Sequence, residues 1–345
     1  MENTTKTIFG RPVQMGKKTH RYIQVGELSN GSPIYIPLMV VQGERAGPVL
    51  WLCGATHGSE LNGIFAMREI YLESDPKEIS GTIVFTPIMN PMALIRRDNY
   101  SFLDGLDMDT QFPGKTNGFN TARIAFQIFS EIRKIASALV SFHAVSSLSY
   151  ASPYTVSKNI SGVSPKITEK TFRMALSFGL EPNCRVKVDN KKSVNSGEDK
   201  GSLDEICQLH GIPAFMAEIG IGGHWEKRHV AIAKKGIRNI MCIHEMIEGK
   251  PEIPENQIVI PRRKELSVNK GGFVEMFAKP GDVVREGEPY AQVVNLWEVV
   301  EVLKATEKMY MITTTSNPVV SSGGRIGFAG LEWSKAAEHG FRNVG

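Results

Sequence analysis

A histidine and a glutamate three residues apart, His57-x-x-Glu60, interrupt the segment Trp51-Leu52-Cys53-Gly54-Ala55-Thr56-His57. A neutral imidazole and a carboxylate at this spacing turn toward one metal ion, and zinc accepts both donors while keeping a position open for water. Alone, such a pair is more often a histidine at a helix start with a carboxylate favoured by the helix dipole. Two further residues weigh against that. His143 directly follows the apolar run Ala138-Leu139-Val140-Ser141-Phe142, and Glu218 ends Ala214-Phe215-Met216-Ala217. A carboxylate closing an apolar run is costly to bury unless it is paired or used. His57, Glu60 and His143 are therefore candidate ligands for one zinc ion per chain, although cobalt or manganese accept the same donors. Glu218 is the candidate general base, taking a proton from water and passing it to a leaving nitrogen.

The elements that must position these groups can be read around them. The run Val49–Cys53 predicts a buried strand, and Leu61–Leu72 a helix, so His57 and Glu60 fall in a strand-to-helix turn. Open α/β sheets gather ligands at such carboxyl ends of strands. Before it, Tyr22–Leu28 and Ile34–Val41 flank the turn signal Ser29-Asn30-Gly31-Ser32-Pro33 and predict a hairpin. After it come a strand at Thr82–Ile88, an irregular segment Asn90–Asn120, and a helix Thr121–Ser137 with Ile124, Ile128, Ile132 and Ile135 on one face. Residues 149–165 read as loop, Ile167–Leu180 as helix, Lys187–Gly201 as a polar excursion, Ser202–His210 as helix, Ile212–Ile219 as strand and His229–Ile247 as helix. This alternation predicts an α/β fold with a mixed, mainly parallel sheet and flanking helices. The Pro/Glu-rich stretch Gly249–Asn256 marks a boundary. It separates a catalytic unit, residues 1–250 with an N-terminal β segment 1–46, from a smaller all-β unit, 257–345, punctuated by glycines.

The chain has 345 residues, 41% hydrophobic, with a formal net charge of +4. Basic residues are scattered among acidic ones, which excludes a nucleic-acid footprint. No apolar run approaches a membrane span. Cys53, Cys184, Cys207 and Cys242 form no C-x-x-C pair. With no apolar core in Met1–Gly10, they suggest reduced thiols in a cytoplasmic protein.

Taken with Asn90-Pro91-x-Ala93, Asp104-Gly105, Phe112-Pro113-Gly114 and Glu218 in A-E-I-G, the set resembles the succinylglutamate desuccinylase/aspartoacylase family. The N-acetyl-diaminobutyrate deacetylase branch is similar in layout. The resemblance implies a zinc amidohydrolase on the carboxypeptidase A fold, acting on a small N-acyl amino acid or related acylamine. The tail, from Gly272-Phe273-Val274 to Asn317-Pro318, is similar to the family's barrel-like, biotinyl/lipoyl-type domain. A carrier role is not expected, since Val294–Glu298 has no lysine where the modified one would stand. Neither nucleic acid nor membrane is expected as a partner, and self-association into a homo-oligomer stays open.

The departures concern substrate. The family reads D-L-N-R where this chain has Asp107-Met108-Asp109-Thr110, so the Asn-Arg pair implied to grip a carboxylate becomes Asp109 and Thr110. Threonine has no guanidinium fork. Unless Arg96, Arg97 or Arg123 restores the clamp, the preferred substrate is expected to lack the usual α-carboxylate contact or to carry an amine near it. The family's carbonyl-polarising arginine aligns with Asn99, leaving Arg97 as the nearest candidate. A carboxypeptidase-like metallopeptidase and a non-catalytic, metal-binding regulatory homologue are the alternative readings. The first suffers from the lost clamp, and the second gives Glu218 no purpose.

Overall fold

The computed structural model of the chain describes residues 6–189 and 201–341. Trp51, Leu52 and Cys53 are completely buried because strand Arg45–Cys53 has parallel neighbours on both edges, Ser80–Thr86 and Ala138–Val145. A strand so placed meets side chains on both faces, hence its continuous apolar sequence. Successive residues point to opposite faces. Trp51 joins Ile124, Ile128 and Ile132 of helix Asn120–Ile135 on one side. Leu50 and Leu52 join Met67 and Ile70 of helix Asn62–Glu73, with Ile237 and Ile240 of helix Lys227–Ile243, on the other.

Outward from this centre, Ala138–Val145 pairs in parallel with Ala214–Ile221, which pairs antiparallel with Tyr154–Ile160. Asn183–Val188 and then Ile258–Ser267 add parallel partners. The hairpin Lys17–Glu27 and Pro33–Gln42 forms the opposite edge. The fold is thus the expected mixed α/β sheet, covered by helices on both faces.

Several details differ from the sequence-based expectations. The segment 149–165 is not a loop. It holds the short strand Ser149–Ala151 and the core strand Tyr154–Ile160. Thr155, Ser157 and Lys158 of that strand are buried. They look polar in sequence, but Thr155 bonds Asn183 and Lys158 pairs with Asp204 at 3.0 Å. Strand Asn183–Val188 takes in Lys187 and Val188, the start of the expected polar excursion Lys187–Gly201, the rest of which lies largely outside the described residues. The irregular segment holds a short helix, Pro91–Arg96, capped by the Asn90 side chain. His143 and Glu218 lie inside their strands, which continue to Val145 and Ile221, instead of at the ends.

Among the described residues, the C-terminal part is all β apart from a short 3-10 turn, Ala336–His339. Strand Ile258–Ser267 starts beside Asn183 and Cys184, then runs on as the antiparallel partner of Arg325–Lys335. Met309–Thr315 pairs with Arg325–Lys335, and also with Ser149–Ala151. A second, four-stranded antiparallel sheet closes over an apolar cluster that includes Val274, Val293, Met311 and Ile326. One hydrogen-bonded sheet therefore includes strands from both sides of the Gly249–Asn256 stretch that the sequence marks as a boundary.

Candidate active site

His57 and Glu60 occupy the turn between strand Arg45–Cys53 and helix Asn62–Glu73. The turn is tightly held. Ala55 has a positive φ of 46°, an uncommon conformation for a residue with a Cβ. Gly58 donates its N–H to the Asp98 carbonyl at 2.7 Å, and a Cβ there would sit 1.9 Å from the Ala93 carbonyl oxygen. Backbone cannot yield as a side chain can. Gly58→Ala is therefore expected to displace the turn and weaken zinc binding by about tenfold or more, roughly 1.4 kcal/mol. Competition with a fluorescent chelator would measure this, and unchanged affinity would show that the turn tolerates the shift.

His143 and Glu218 are register partners on adjacent parallel strands. His57 Nδ1 lies 2.9 Å from Glu60 Oε1, and His143 Nδ1 lies 3.2 Å from Glu60 Oε2. The nitrogen and oxygen ligand atoms of the three residues all lie within 4.8 Å of one another. Each imidazole turns its other nitrogen outward. His57 Nε2 meets Asp107 Oδ1 at 3.1 Å, and His143 Nε2 meets Ser141 Oγ at 3.1 Å. Such outer partners set the tautomer and leave both Nδ1 atoms for a metal. Two nitrogens and a carboxylate converging from one turn and one strand fit zinc with one position open.

The electrostatics follow from this crowding. Burial works against a charge on His57, but Glu60 and Asp107 more than offset it and raise its pKa to about 11. Burial and Glu60 act likewise on His143, raised to about 9. Burial opposes the Glu60 charge, yet the two histidines hold its pKa down at about 2. Glu218 goes the other way. Burial, with Glu60 adding repulsion, raises it to about 7 despite the nearby His143, and its Oε2 has no hydrogen-bond partner. A carboxyl poised near neutrality is suited to moving protons in either direction.

Asn62, buried in the first turn of its helix, ties the two halves together. Its Nδ2 donates to the Ile219 carbonyl at 2.9 Å, and its Oδ1 accepts from Glu226 N at 3.0 Å. The helix that follows the His57–Glu60 turn is thereby locked to the strand carrying Glu218.

The other sequence candidates separate. Asn99 lines the cavity around the cluster, which has a volume of about 450 Å³. Asp109, Thr110 and Arg97 do not line it. The Thr110 hydroxyl donates to the Asp107 carbonyl at 2.8 Å. Arg97 is exposed, with a φ of 60°, at the end of helix Pro91–Arg96. Arg96 pairs with Asp98, and Arg123 bonds the Thr116 carbonyl. Asp109 feels both histidines and Lys158, but also Asp204, and burial raises its pKa. Its Oδ1 is buried without a partner.

Sequence reasoning gave no role to Asp107, Asn62, Tyr154 or Arg325. Tyr154 and Arg325 line the cavity, as do Thr313, Thr315 and Asn317 from the C-terminal β region. Only Asp107 had a local signal, since it lies in the D-x-D-T stretch already singled out.

Residues 46–243, more than half of the chain, match the model of the succinylglutamate desuccinylase/aspartoacylase catalytic domain. The chain belongs to this family. It is therefore a member of a family of deacylating amidohydrolases, as the motif set suggested. An N-alpha-acetyl-L-2,4-diaminobutyric acid deacetylase of Halomonas elongata is 23% identical over 267 residues, covering 76% of this chain and 75% of that protein. Among solved structures, the product-bound ectoine utilization protein EutE of Ruegeria pomeroyi superposes with a TM-score of 0.81 at 22% identity, covering 91% of this chain and 95% of the other. A succinylglutamate desuccinylase from Silicibacter sp. TM1040 gives 0.79 at 21% identity, covering 90% and 94%. These likenesses extend the family fold through the C-terminal β region. Among the described helices none is long and apolar enough to cross a membrane.

Proposed function

We propose that this family member is a zinc-dependent deacylase of a small N-acyl amino acid or acylamine, with His57, Glu60 and His143 as ligands and Glu218 as proton carrier. The observation that carries the reading is the convergence of three ligand atoms opposite a buried carboxyl poised near neutrality. When bound, zinc would polarise the amide carbonyl and acidify water. The chain's own residues do the rest. Asp107 and Ser141 hold the two imidazoles in orientation, Asn62 fixes the strand that bears Glu218, and the surrounding cavity walls limit bulk water. Glu218 takes a proton from the attacking water and delivers it to the departing nitrogen, so that the amine leaves neutral. Arg97 is given no part, because it lies outside the cavity. The buried, unpaired Cys53, Cys184 and Cys207 suit a reducing compartment such as the cytoplasm.

We assign substrate contact to Asn99, which lines the cavity, and to Asp109, which does not line it, only a through-space attraction on an amine. Asp109, Asp204 and Glu205 set three carboxylates against Lys158, and this surplus favours a cation. Thr110 brings no clamp. The similarity to a deacetylase of acetylated diaminobutyrate points the same way. The test is a hydrolysis screen of the zinc-loaded protein against N-acyl amino acids and N-acyl diamines. Within it, Nα-acetyl-2,4-diaminobutyrate is expected to outrun N-acetyl-2-aminobutyrate. Asp109→Asn should shrink that preference by up to about fivefold, the scale of a screened charge acting without a direct hydrogen bond. An unchanged preference would remove Asp109 from the substrate, and hydrolysis of none of the panel would remove the deacylase reading.

A further inference from the structure

The structure assigns the grip on a substrate carboxylate to Arg325, at the start of strand Arg325–Lys335, more than two hundred residues from the position where the family clamp is lost. This rests on the deacylase reading for the identity of the cavity and adds the residue that reads the acid.

Arg325 is the only lysine or arginine among the described residues that line the cavity. Its guanidinium lies over the Phe328 ring, 4.9 Å from the centroid. Arg263 lies over the same ring at 5.1 Å. Stacking of this kind fixes the plane of the fork while leaving its edge available. The Arg325 ion pair with Glu265 is long, 3.5 Å, between half-exposed side chains, so it is weak and leaves most of the five N–H donors to a ligand. Asn317, Thr313 and Thr315 line the same wall and add neutral hydrogen-bonding groups.

The two ends of the cavity therefore differ in sign. The metal end carries Glu60 and Glu218. The wall formed with Thr313, Thr315 and Asn317 carries Arg325, which shares the Phe328 ring with Arg263. An N-acyl amino acid can place its amide at the ligands and its carboxylate on the guanidinium. Bidentate carboxylate binding needs the planar fork, which a lysine lacks.

The test compares Nα-acetyl-2,4-diaminobutyrate with its decarboxylated counterpart, N-acetyl-1,3-diaminopropane, in the zinc-loaded full chain. The readout is the ratio of their kcat/KM values. Arg325→Gln is expected to lower that ratio tenfold or more, mainly through KM for the acid. Arg325→Lys should restore only part of it, and Arg263→Gln should leave the ratio as in the wild type. Isothermal titration of the same two compounds into zinc-loaded Glu218→Gln protein, with and without Arg325→Gln, reads binding without turnover. Selective loss of affinity for the acid supports the assignment even if the wild type hydrolyses neither compound, an outcome that would sink the deacylase reading alone. Equal losses for both compounds, or no preference for the acid in either arm, overturn the role of Arg325.

Discussion

Glu218→Gln is expected to keep its zinc and to lose about a hundredfold or more in kcat, the usual scale for removing a general base. The substitution is nearly isosteric. Strand Ala214–Ile221 stays in register with Ala138–Val145 through backbone bonds that the side chain does not make. The Glu218 carboxyl is instead the one group at the cluster whose pKa burial lifts to about 7, whereas Glu60 is held down at about 2 by its histidines. The two glutamates are thus pushed apart, one held as an anion and the other able to take up and release a proton near neutrality. The active form is the ionised one, so the rate should fall as pH drops through the Glu218 pKa, which a bound dication would set below its metal-free value. Parallel measurement of kcat and of zinc by mass spectrometry decides the matter. Loss of metal along with activity would make Glu218 a ligand.

The second expectation concerns the metal itself. The protein should bind about one zinc per chain, and His57→Ala and His143→Ala should each abolish stoichiometric uptake. Without metal, Glu60 and Asp107 keep His57 protonated up to about pH 11, and Glu60 keeps His143 protonated up to about pH 9. Zinc requires both Nδ1 atoms to be bare. Binding near pH 7 must therefore expel about two protons from the histidines and a further fraction from Glu218, and apparent affinity should climb by at least about a hundredfold per pH unit between roughly pH 6 and 8. Glu60, already ionised, contributes none. Titration calorimetry in buffers of different ionisation enthalpy counts the protons. Full zinc occupancy in both alanine variants, or uptake without proton release, would remove these residues as ligands.

What the sequence revealed, and what it did not, follows from how far each signal travels. The His57–Glu60 turn was readable because its context is local: an apolar strand, a glycine and then a helix. His143 and Glu218 stood out because a charged or polar residue breaks an apolar run. Strand Tyr154–Ile160 reads as polar because two of its buried residues find partners far along the chain, Thr155 in Asn183 and Lys158 in Asp204. Polarity reads as exposure only when the partner is out of sight. Asp107 is 50 positions from His57, and Arg325 reaches the cavity through pairings of the C-terminal strands. No periodicity encodes either meeting.

The strand Ile258–Ser267, shared between the central sheet and the C-terminal strands, bears on how such an enzyme could change over evolutionary time. A wall that rocked on a hinge would let new substrates in by altering the hinge alone. Here the wall is woven into the same hydrogen-bonded ladder that fixes the chemistry. Drift in substrate choice is channelled to strand ends and the turns between them, such as Thr315 to Asn317 and Ser322 to Arg325. The catalytic centre inherits the rigidity of the whole ladder. New specificities are expected to arise as point replacements at the rim, away from His57, Glu60, His143 and Glu218.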